Sequence, residues 1–382
     1  MATPTVPTVS RGQVLRFRWR AHQLDTPPDT CPAADPALLD LGLQDTGVGG
    51  AAWALSLRGA AEPGVDELAL AWTVRAAPHL YRRADLAAVA VATAPLSEAD
   101  AAKRIHDASK PLKAAGIPAL EALTTVAGAE RSLVTEQMVK GDLSARLSGI
   151  LDDPYLRHCQ PCAATHPWEM TFRLAALQAG LELEPDTSPP VLRRIPDLEP
   201  PLLAALGGQA PARLNVVRSY LRFFAPARVR DVAAFLDAPV KDVKANWPAD
   251  AVEVAPDLPA KGRVEPRFAL PVDVDALTER CEAPGTLRLL GPHDPYLQLR
   301  DRDTLVSDPA RVKDLWRPLG RPGAVAVDGE VVGTWRPRAS GGRLSIAADL
   351  WEPVPPRLRG ALQEQAGRFA AFRGLTLTGV ST

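Results

Sequence analysis

Proline restricts what this chain can fold into more than any other residue type does. It occupies 38 of the 382 positions, which is about twice its average share in proteins. Because proline fixes its own φ angle and has no backbone N–H to donate, it rarely occurs inside helices or central strands. The sequence therefore predicts many short elements joined by stiff connections, in an α+β chain of roughly two to four domains.

The segment 35–59 holds polar side chains in a glycine-rich turn. Helix-start and helix-stop residues predict one short helix over 37–41 and a second over 51–58. The turn between them carries three polar residues, Gln44, Asp45 and Thr46. Asp45 or Thr46 could cap the second helix while Gln44 is solvated, or the three side chains could form a reactive site. Spacing alone favours the cap.

The formal net charge of −1 excludes a protein that binds nucleic acid through an overall basic surface. Any nucleic-acid surface must therefore be local. Two segments, 1–24 and 211–230, contain arginines and no acidic residue. Their candidate DNA contacts are Arg16, Arg18, Arg20, Arg218 and Arg222. The alternative for the first segment is an amphipathic opening helix over 14–24, whose arginines extend to solvent.

After the turn, the apolar run 68–75 predicts a strand, and residues 78–83 predict a turn that enters a second strand, so the two form a hairpin. Helix, turn, helix and hairpin follow one another in the order of a winged helix. Three basic residues on or beside this hairpin are candidate DNA contacts: His79, Arg82 and Arg83. His79 can equally be a hydrogen-bonded structural histidine.

Residues 214–224, 229–236 and 240–247 predict three successive helices, the clearest helix-turn-helix pattern in the chain. Lys241 and Lys244 lie on the third helix at positions i and i+3, so they share one face. That face can meet a DNA groove or form ordinary solvated surface.

Cys159, Cys162 and His166 have the spacing of a zinc knuckle, and His158 precedes the first cysteine. Structural zinc sites are usually assembled from two separated ligand pairs, and a second pair is missing from the sequence. Neighbouring side chains on a strand face opposite sides, so His158 and Cys159 do not both reach one metal. The sequence therefore favours packed thiols, and it predicts neither a metal nor a cofactor.

Strands dominate the prediction from residue 286 onward. They are expected over 287–290, 324–327, 331–336 and 344–346, with a hairpin at Asp328-Gly329 and a closing helix over 356–372. No apolar run approaches the roughly 18 residues that span a bilayer. The start lacks the pattern of a signal peptide, and four cysteines are too few for a secreted disulfide framework. The prediction is a cytoplasmic protein without membrane contact.

Four further motifs occur in order along the chain: VRAAPHLYRRAD at 74–85, YLRFFAP at 220–226, LGPHDPY at 290–296 and DGEVVGTWR at 328–336. Together with the glycine-rich turn, they resemble the winged-helix DNA glycosylases typified by the azinomycin-resistance enzyme AlkZ. That family has a Gln-apolar-Gln or Gln-apolar-Asp motif in the turn. Here Asp45 follows Gln44 directly, and Thr46 stands in the place of the second polar residue. His293 and Asp294 could be an acid/base pair or turn residues.

The resemblance implies three tandem winged helices around a concave DNA-binding cleft. The corresponding division is an unstructured segment at 1–10, winged helices at 11–95, 96–190 and 211–285, a proline-rich linker at 191–210, and a β-rich region with a final helix at 286–382.

The resemblance also implies a monomeric, cofactor-free, monofunctional enzyme acting on duplex DNA that carries an N7-alkylated or crosslinked guanine. The reaction would be hydrolysis of the N-glycosidic bond. Asp45 would stabilise the developing positive charge or act as base, Gln44 would position the water or the sugar, and Thr46 would support them. Because the motif lacks its apolar spacer, the alternative is a non-enzymatic winged-helix DNA-binding protein, either a regulator or a protective factor.

Overall fold

The protein is described by a computed structural model, which covers residues 6–47, 49–60, 67–196, 198, 210–258, 265–280, 284–353 and 355–382. It is a mixed α+β fold made of short elements, as the proline content predicts. No helix within these ranges is long and apolar enough to cross a membrane. The first part of the chain contains β1 (Thr8–Ser10), α1 (Arg11–Ala21), β2 (Leu43–Gln44), α2 (Gly50–Ser56), β3 (Leu68–Trp72), β4 (Pro78–Arg82) and α3 (Leu86–Thr93).

The second part, up to residue 194, alternates helices with short hairpins. It contains α4 (Glu98–Arg104), α5 (Ser109–Ala114), α6 (Ala119–Leu133), β5 (Met138–Val139), α7 (Lys140–Ser148), β6 (Leu156–Cys159), β7 (Ala164–Pro167), α8 (Glu169–Gln178), β8 (Leu181–Leu183) and β9 (Val191–Arg194).

One six-stranded sheet, in the order β2-β4-β3-β8-β9-β5, joins these two parts. The connection is made between β3 and β8, where Leu70 pairs with Leu183. The linker predicted over 191–210 is wrong at its start, because Val191–Arg194 is β9 of this sheet and pairs with β8 and β5. Positions 199–209 of that linker lie outside the described residues.

Residues 211–285 contain three helices followed by an antiparallel hairpin and a short helix. These are α9 (Val216–Phe224), α10 (Val229–Leu236), α11 (Val240–Ala245), β10 (Val252–Asp257), β11 (Arg267–Ala269) and α12 (Val274–Thr278). The three predicted helices are confirmed. Their signals are local, since each begins and ends at a proline or polar break.

The N-terminal elements pack against this third part rather than standing alone. β1 pairs in parallel with β10, so the prediction of an unstructured segment at 1–10 is wrong at Thr8–Ser10. Positions 1–5 lie outside the described residues. The opening helix predicted over 14–24 is confirmed as α1, and its Phe17 shares a small core with Val254 and Leu277.

The last part of the chain is a five-stranded sheet, in the order β12-β13-β14-β15-β16, covered by a long helix. All the strands predicted here and the closing helix are confirmed, and one further strand follows them. The elements are β12 (Leu287–Leu290), α13 (Pro309–Leu315), β13 (Gly323–Val327), β14 (Glu330–Ser340), β15 (Arg343–Leu350), α14 (Pro356–Phe372) and β16 (Thr376–Ser381).

The hairpin turn at Asp328 and Gly329 also packs against α1. Gly329 has a φ of +98°, and a Cβ placed on it would lie 2.6 Å from the backbone oxygen of Leu15. Both the left-handed backbone and the close approach require glycine. The turn residue therefore joins the first helix to the last sheet.

The C-terminal sheet and α14 hold α2 in place. Trp53 of α2 packs edge to face on Phe369 of α14, with ring centroids 5.0 Å apart, and its Nε1 donates to the backbone oxygen of Leu289 at 2.8 Å. The helix predicted over 51–58 is thus confirmed as α2. The helix predicted over 37–41 is a single 3-10 turn, Ala37–Asp40.

A buried carboxylate joins α1 to two later segments. Asp301 accepts from Nη2 of Arg18 at 2.8 Å and from Nη1 of Arg267 at 2.7 Å, and all three side chains are buried. Burial alone would raise the pKa of Asp301, but the two guanidinium groups outweigh burial and lower it. The prediction that Arg18 contacts DNA is wrong, because its charge is neutralised inside the protein.

We expect Asp301→Ala to lower the free energy of unfolding by about 3–5 kcal/mol, because it leaves two buried guanidinium groups without their carboxylate. Urea unfolding followed by circular dichroism measures this loss. The control is Asp250→Ala, which breaks a solvent-exposed pair with Arg218 and should cost less than about 1 kcal/mol. Equal losses in the two variants would contradict the central role of Asp301.

Candidate active site

Gln44 ends β2 at the edge of the six-stranded sheet, where its backbone pairs with that of His79 in β4. The backbone N–H of Asp45 then donates to the carbonyl of Pro78 at 2.8 Å, which continues the extended pairing by one residue. Side chains alternate along an extended chain. Gln44 and Thr46 therefore face one side of the segment, and Asp45 faces the other.

The amide of Gln44 is held by three neighbours. Its Nε2 donates to Oγ1 of Thr46 at 3.0 Å and to Nδ1 of His293 at 3.3 Å, while Nη2 of Arg75 donates to its Oε1 at 3.5 Å. Burial lowers the pKa of His293 to about 4, helped by the charges of Arg321 and Arg75. The imidazole is thus neutral at neutral pH, and its Nδ1 can accept a hydrogen bond.

Asp45 caps α2. Its Oδ1 accepts from the backbone N–H of Ala51 at 2.9 Å. The first N–H groups of a helix have no partner within the helix, and the N-cap residue Gly49 has no side chain to supply one. Gly47 and Gly49 have φ angles of +86° and +63°, which turn the chain so that Asp45 reaches the helix start. The interpretation of Asp45 as a cap is confirmed.

Asp45 also lines a groove of about 390 Å³ whose walls include Trp72, Glu184 and Asp186. This volume lies within the range of small-ligand sites. Burial raises the pKa of Asp45, the nearby charge of Asp186 raises it further, and backbone hydrogen bonds at the start of α2 oppose both effects. Asp45 therefore keeps its proton to higher pH than an ordinary aspartate, a property common in reactive carboxyl groups.

Arg75, which contacts Gln44, is one of four arginines that form a positive cluster: Arg75, Arg300, Arg302 and Arg321. Burial lowers the pKa of Arg75 to about 9, and the charge of Arg300 contributes. Burial also lowers the pKa of Arg302 to about 10, with contributions from Arg300 and Arg321. These mutual effects mean that like charges share one small region. Arg75 links the cluster to Gln44 through the contact already described.

The fold does not neutralise this arginine cluster by direct contact. Among the described residues none of its four members forms a salt bridge, and the Nε atoms of Arg300 and Arg321 are buried without a hydrogen-bond partner. Arg75 also adopts a strained left-handed backbone, with φ of +57°. Guanidinium groups in this situation suit an anionic ligand such as phosphate. Sequence reasoning missed the cluster because Arg75 is more than 200 positions away from Arg300, Arg302 and Arg321 in the chain.

Besides Arg18, five more of the candidate DNA-binding arginines form ion pairs within the protein. Arg20 pairs with Glu279, Arg82 with Asp40, Arg83 with Glu182, Arg218 with Asp250 and Arg222 with Asp40. These contacts hold the fold together, and contacts of the same arginines with DNA stay predictions.

His79 is buried in the sheet rather than exposed on a wing. Its Nδ1 lies 3.0 Å from Oγ1 of Thr73 and 2.9 Å from the backbone oxygen of Ala77. Burial, followed by the charge of Arg75, lowers its pKa to about 3. The prediction of a phosphate contact is therefore wrong, and the alternative of a structural histidine is confirmed.

Lys241 and Lys244 are exposed on α11, so both can reach a ligand, although nothing tests their contact with DNA. Arg16 is half-buried on α1, and its Nε has no hydrogen-bond partner among the described residues. These three residues stay candidate DNA contacts.

His293 and Asp294 do not form an acid/base pair. Asp294 is fully buried and accepts two hydrogen bonds from Arg58, at 2.8 and 3.0 Å. It also accepts from the backbone N–H of Tyr296. Asp294 is therefore a structural turn residue, and His293 alone faces Gln44.

The fold brings together the three sulfur and nitrogen ligands that the sequence singled out. The donor atoms of Cys159, Cys162 and His166 all lie within 4.8 Å of one another on the β6-β7 hairpin. His158 is not part of this group, as expected from its position on the opposite face of the strand.

Comparison with known proteins yields one family and one solved structure. The family described as DNA glycosylase AlkZ-like matches residues 54–372, a span that begins after the Gln44 turn. The fold is similar to that of the Streptomyces sahachiroi DNA glycosylase AlkZ, with a TM-score of 0.70 and 20% sequence identity over 98% of this chain and 99% of that one. No curated protein matches the sequence.

We expect Asp186→Asn to lower the pKa of Asp45, because it removes the like charge in the groove. The value should stay above that of an ordinary aspartate, since burial is the larger cause. Because the pKa of Asp45 is raised in the folded state, the protein loses stability as pH rises from the ordinary aspartate pKa to the raised one. Asp186→Asn should make this loss of stability smaller. Carboxyl NMR titration of Asp45 measures the change. The exposed Asp142→Asn on α7 is the control, and an unchanged titration in Asp186→Asn would contradict the coupling.

Proposed function

The chain belongs to the AlkZ-like family of DNA glycosylases, and we propose that it hydrolyses the N-glycosidic bond of N7-alkylated guanine in duplex DNA, including guanines held in interstrand crosslinks. The observation that carries this proposal is the position of Gln44. Its oriented amide lies between a neutral imidazole and an arginine cluster that forms no salt bridge within the described part of the chain. Such a site can hold a water molecule and a DNA phosphate side by side.

The chemistry needs little acid catalysis. Alkylation at N7 gives the base a positive charge, so the C1′–N9 bond breaks with its electron pair moving onto the base, which leaves neutral. The barrier lies in the positive charge that develops on the sugar. Oriented dipoles and carboxylates lower such a barrier, as carboxylates do in the hydrolysis of sugars.

We assign the attacking water to the side of Gln44 and Thr46. The water oxygen bonds to C1′, and one water proton passes to Nδ1 of His293, the nitrogen that carries the lone pair and contacts Gln44, because the imidazole is neutral at neutral pH. A weak base is enough, because a water molecule attacking a cationic sugar becomes strongly acidic. Gln44 orients the water, and the hydroxyl of Thr46, bonded to the Gln44 amide at 3.0 Å, supports that orientation.

Asp45 acts from the opposite side of the segment. Its groove also holds Glu184 and Asp186, and this acidic lining complements a cationic base and opposes a phosphate. We therefore assign the alkylated guanine to the groove side and the phosphate backbone to the arginine cluster. Asp45 stabilises the positive charge of the sugar and base, and it also fixes the turn by capping α2.

The wider DNA surface follows the family architecture. We propose three tandem winged helices around a concave cleft, acting as a monomer, with Lys241 and Lys244 of α11 as groove contacts. The three helices and hairpin of residues 211–285 support this arrangement, because they follow the element order of a winged helix.

A non-enzymatic DNA-binding protein is the second candidate function. Two observations favour it: Thr46 occupies the place of a carboxylate or amide in the family motif, and Asp45 is already engaged as a helix cap. This alternative predicts tight binding to alkylated duplex DNA without base release.

We expect Gln44→Ala to slow single-turnover release of N7-methylguanine from a duplex by about a hundredfold or more, because one oriented partner of the transition state is lost. Asp45→Asn should also slow release while leaving stability unchanged, since asparagine caps helices as well as aspartate does. Thr46→Asp should raise the rate, because it supplies the carboxylate of the family motif. DNA affinity is measured in parallel.

The matched control is Asp45→Ala, which removes both the charge and the cap and should cost about 1 kcal/mol of stability in addition. Wild-type protein that binds the duplex and releases no base would leave the DNA-binding alternative. Normal release by Gln44→Ala would remove Gln44 from the reaction.

We expect Arg321→Gln to weaken DNA binding and to reduce the slope of log affinity against log salt by about 0.9, the value for one lost phosphate contact. Fluorescence anisotropy with an undamaged duplex at several salt concentrations measures both. The exposed Lys113→Gln on α5 is the control for loss of a positive charge. Equal slopes in the wild type and Arg321→Gln would show that the arginine cluster does not bind phosphate.

A further inference from the structure

The β6-β7 hairpin arranges three metal-type ligands on one face. In its antiparallel register, Cys159 lies opposite Ala164 and Arg157 lies opposite His166. Cys159 and His166 are therefore diagonal neighbours on the same face of the hairpin. Cys162 comes from the connecting turn and completes the group, whose donor atoms lie within 4.8 Å of one another.

Local contacts orient all three ligands. The backbone N–H of Cys162 donates to the sulfur of Cys159, which fixes the turn relative to the strand. Nδ1 of His166 lies 3.3 Å from Oγ1 of Ser144 on α7. A ring that donates from Nδ1 carries its lone pair on Nε2, which is the usual arrangement of a metal-bound histidine.

The turn itself has a strained backbone. Ala163 has a φ of +49°, a left-handed conformation that costs energy for a residue with a Cβ. Strain of this kind persists where the surroundings require it, and it is frequent at binding sites. Here it returns the chain to β7 directly after Cys162, so that both sulfur atoms and the imidazole lie together.

We propose that Cys159, Cys162 and His166 bind a zinc ion, with water as the fourth ligand. Two thiolates and an imidazole are the donors that zinc prefers, whereas magnesium and calcium require oxygen ligands. Zinc–sulfur bonds of about 2.3 Å at a tetrahedral angle place two sulfur atoms about 3.8 Å apart. Side chains already within 4.8 Å of one another reach this geometry by small rotations.

This proposal revises the prediction from sequence, which expected no metal because a second ligand pair is missing. Three ligands from one hairpin and a water molecule satisfy tetrahedral zinc without that pair. The objection to His158 still holds, since His158 pairs with Thr165 on the other face.

The ion would stabilise a hairpin that has little core of its own. Most residues of β6 and β7 are half-buried or exposed, and a two-stranded hairpin without a hydrophobic face is marginal in water. Metal binding adds its free energy to the folding of the segment that holds it. The zinc ion would therefore stabilise the hairpin, and its binding is independent of the proposed glycosylase reaction.

The test is the zinc content of the full-length protein, purified under reducing conditions and dialysed against metal-free buffer. We expect about one zinc per chain in the wild type, measured by inductively coupled plasma mass spectrometry. Cys159→Ser, Cys162→Ser and His166→Gln should each lose most of it. Cys31→Ser, which changes a thiol outside the hairpin, and His158→Gln are matched controls that should keep it.

Hydrogen–deuterium exchange supplies a second readout. Chelation of the zinc should raise exchange over residues 156–167 in the wild type and leave exchange in the C-terminal sheet unchanged. Cys159→Ser should show the raised exchange over 156–167 before any chelator is added. Two results would overturn the proposal. One is wild-type protein that retains no zinc from buffer supplemented with zinc, and the other is a Cys159–Cys162 disulfide in protein isolated without reductant.

Discussion

The ion pair between Arg58 and Asp294 is the interaction on which the candidate active site depends. Both side chains are fully buried, and two parallel hydrogen bonds join them. Removing such charges from water is costly, and further hydrogen bonds offset part of this cost: Arg58 also donates to the backbone oxygen of Ala54, and Asp294 also accepts from the backbone N–H of Tyr296. Arg58 follows α2, which Asp45 caps, and Asp294 follows His293, which contacts Gln44. One buried contact thereby fixes the distance between the turn and the imidazole.

The elements that could be predicted from sequence are those with local signals. The helices of 211–285, the hairpin at Asp328-Gly329 and the closing helix each carry their own caps, breaks or turn residues. The six-stranded sheet could not be predicted, because it combines strands that are distant in sequence, and nothing near Val191 indicates its partner β8. The assignment of 191–210 as a linker failed for that reason, since its prolines were weighed without the strand that precedes them.

The difference between local signals and long-range contacts also decides which site residues could be predicted from sequence. The opposite orientations of Gln44 and Asp45 follow from the two-residue period of an extended chain, and the helix cap was among the alternatives that the turn allowed. The role of an arginine, in contrast, depends on which carboxylates the fold brings to it. Asp40 forms salt bridges with Arg82 and Arg222, whereas the arginine cluster has only the more distant charge of Asp237 near Arg75 and Arg300 and forms no salt bridge among the described residues. Neither outcome is visible in the spacing of the basic residues.

The pairing of β1 with β10 has a consequence for synthesis on the ribosome. Thr8 leaves the ribosome early, but its partner Ala255 is made only after most of the chain. At typical elongation rates of about 5–20 residues per second, the first strand waits on the order of ten to fifty seconds for its neighbour. During that time α1 also lacks Val254 and Leu277, with which it packs. Strand β1 is thus translated long before β10 and cannot pair until that strand has been made.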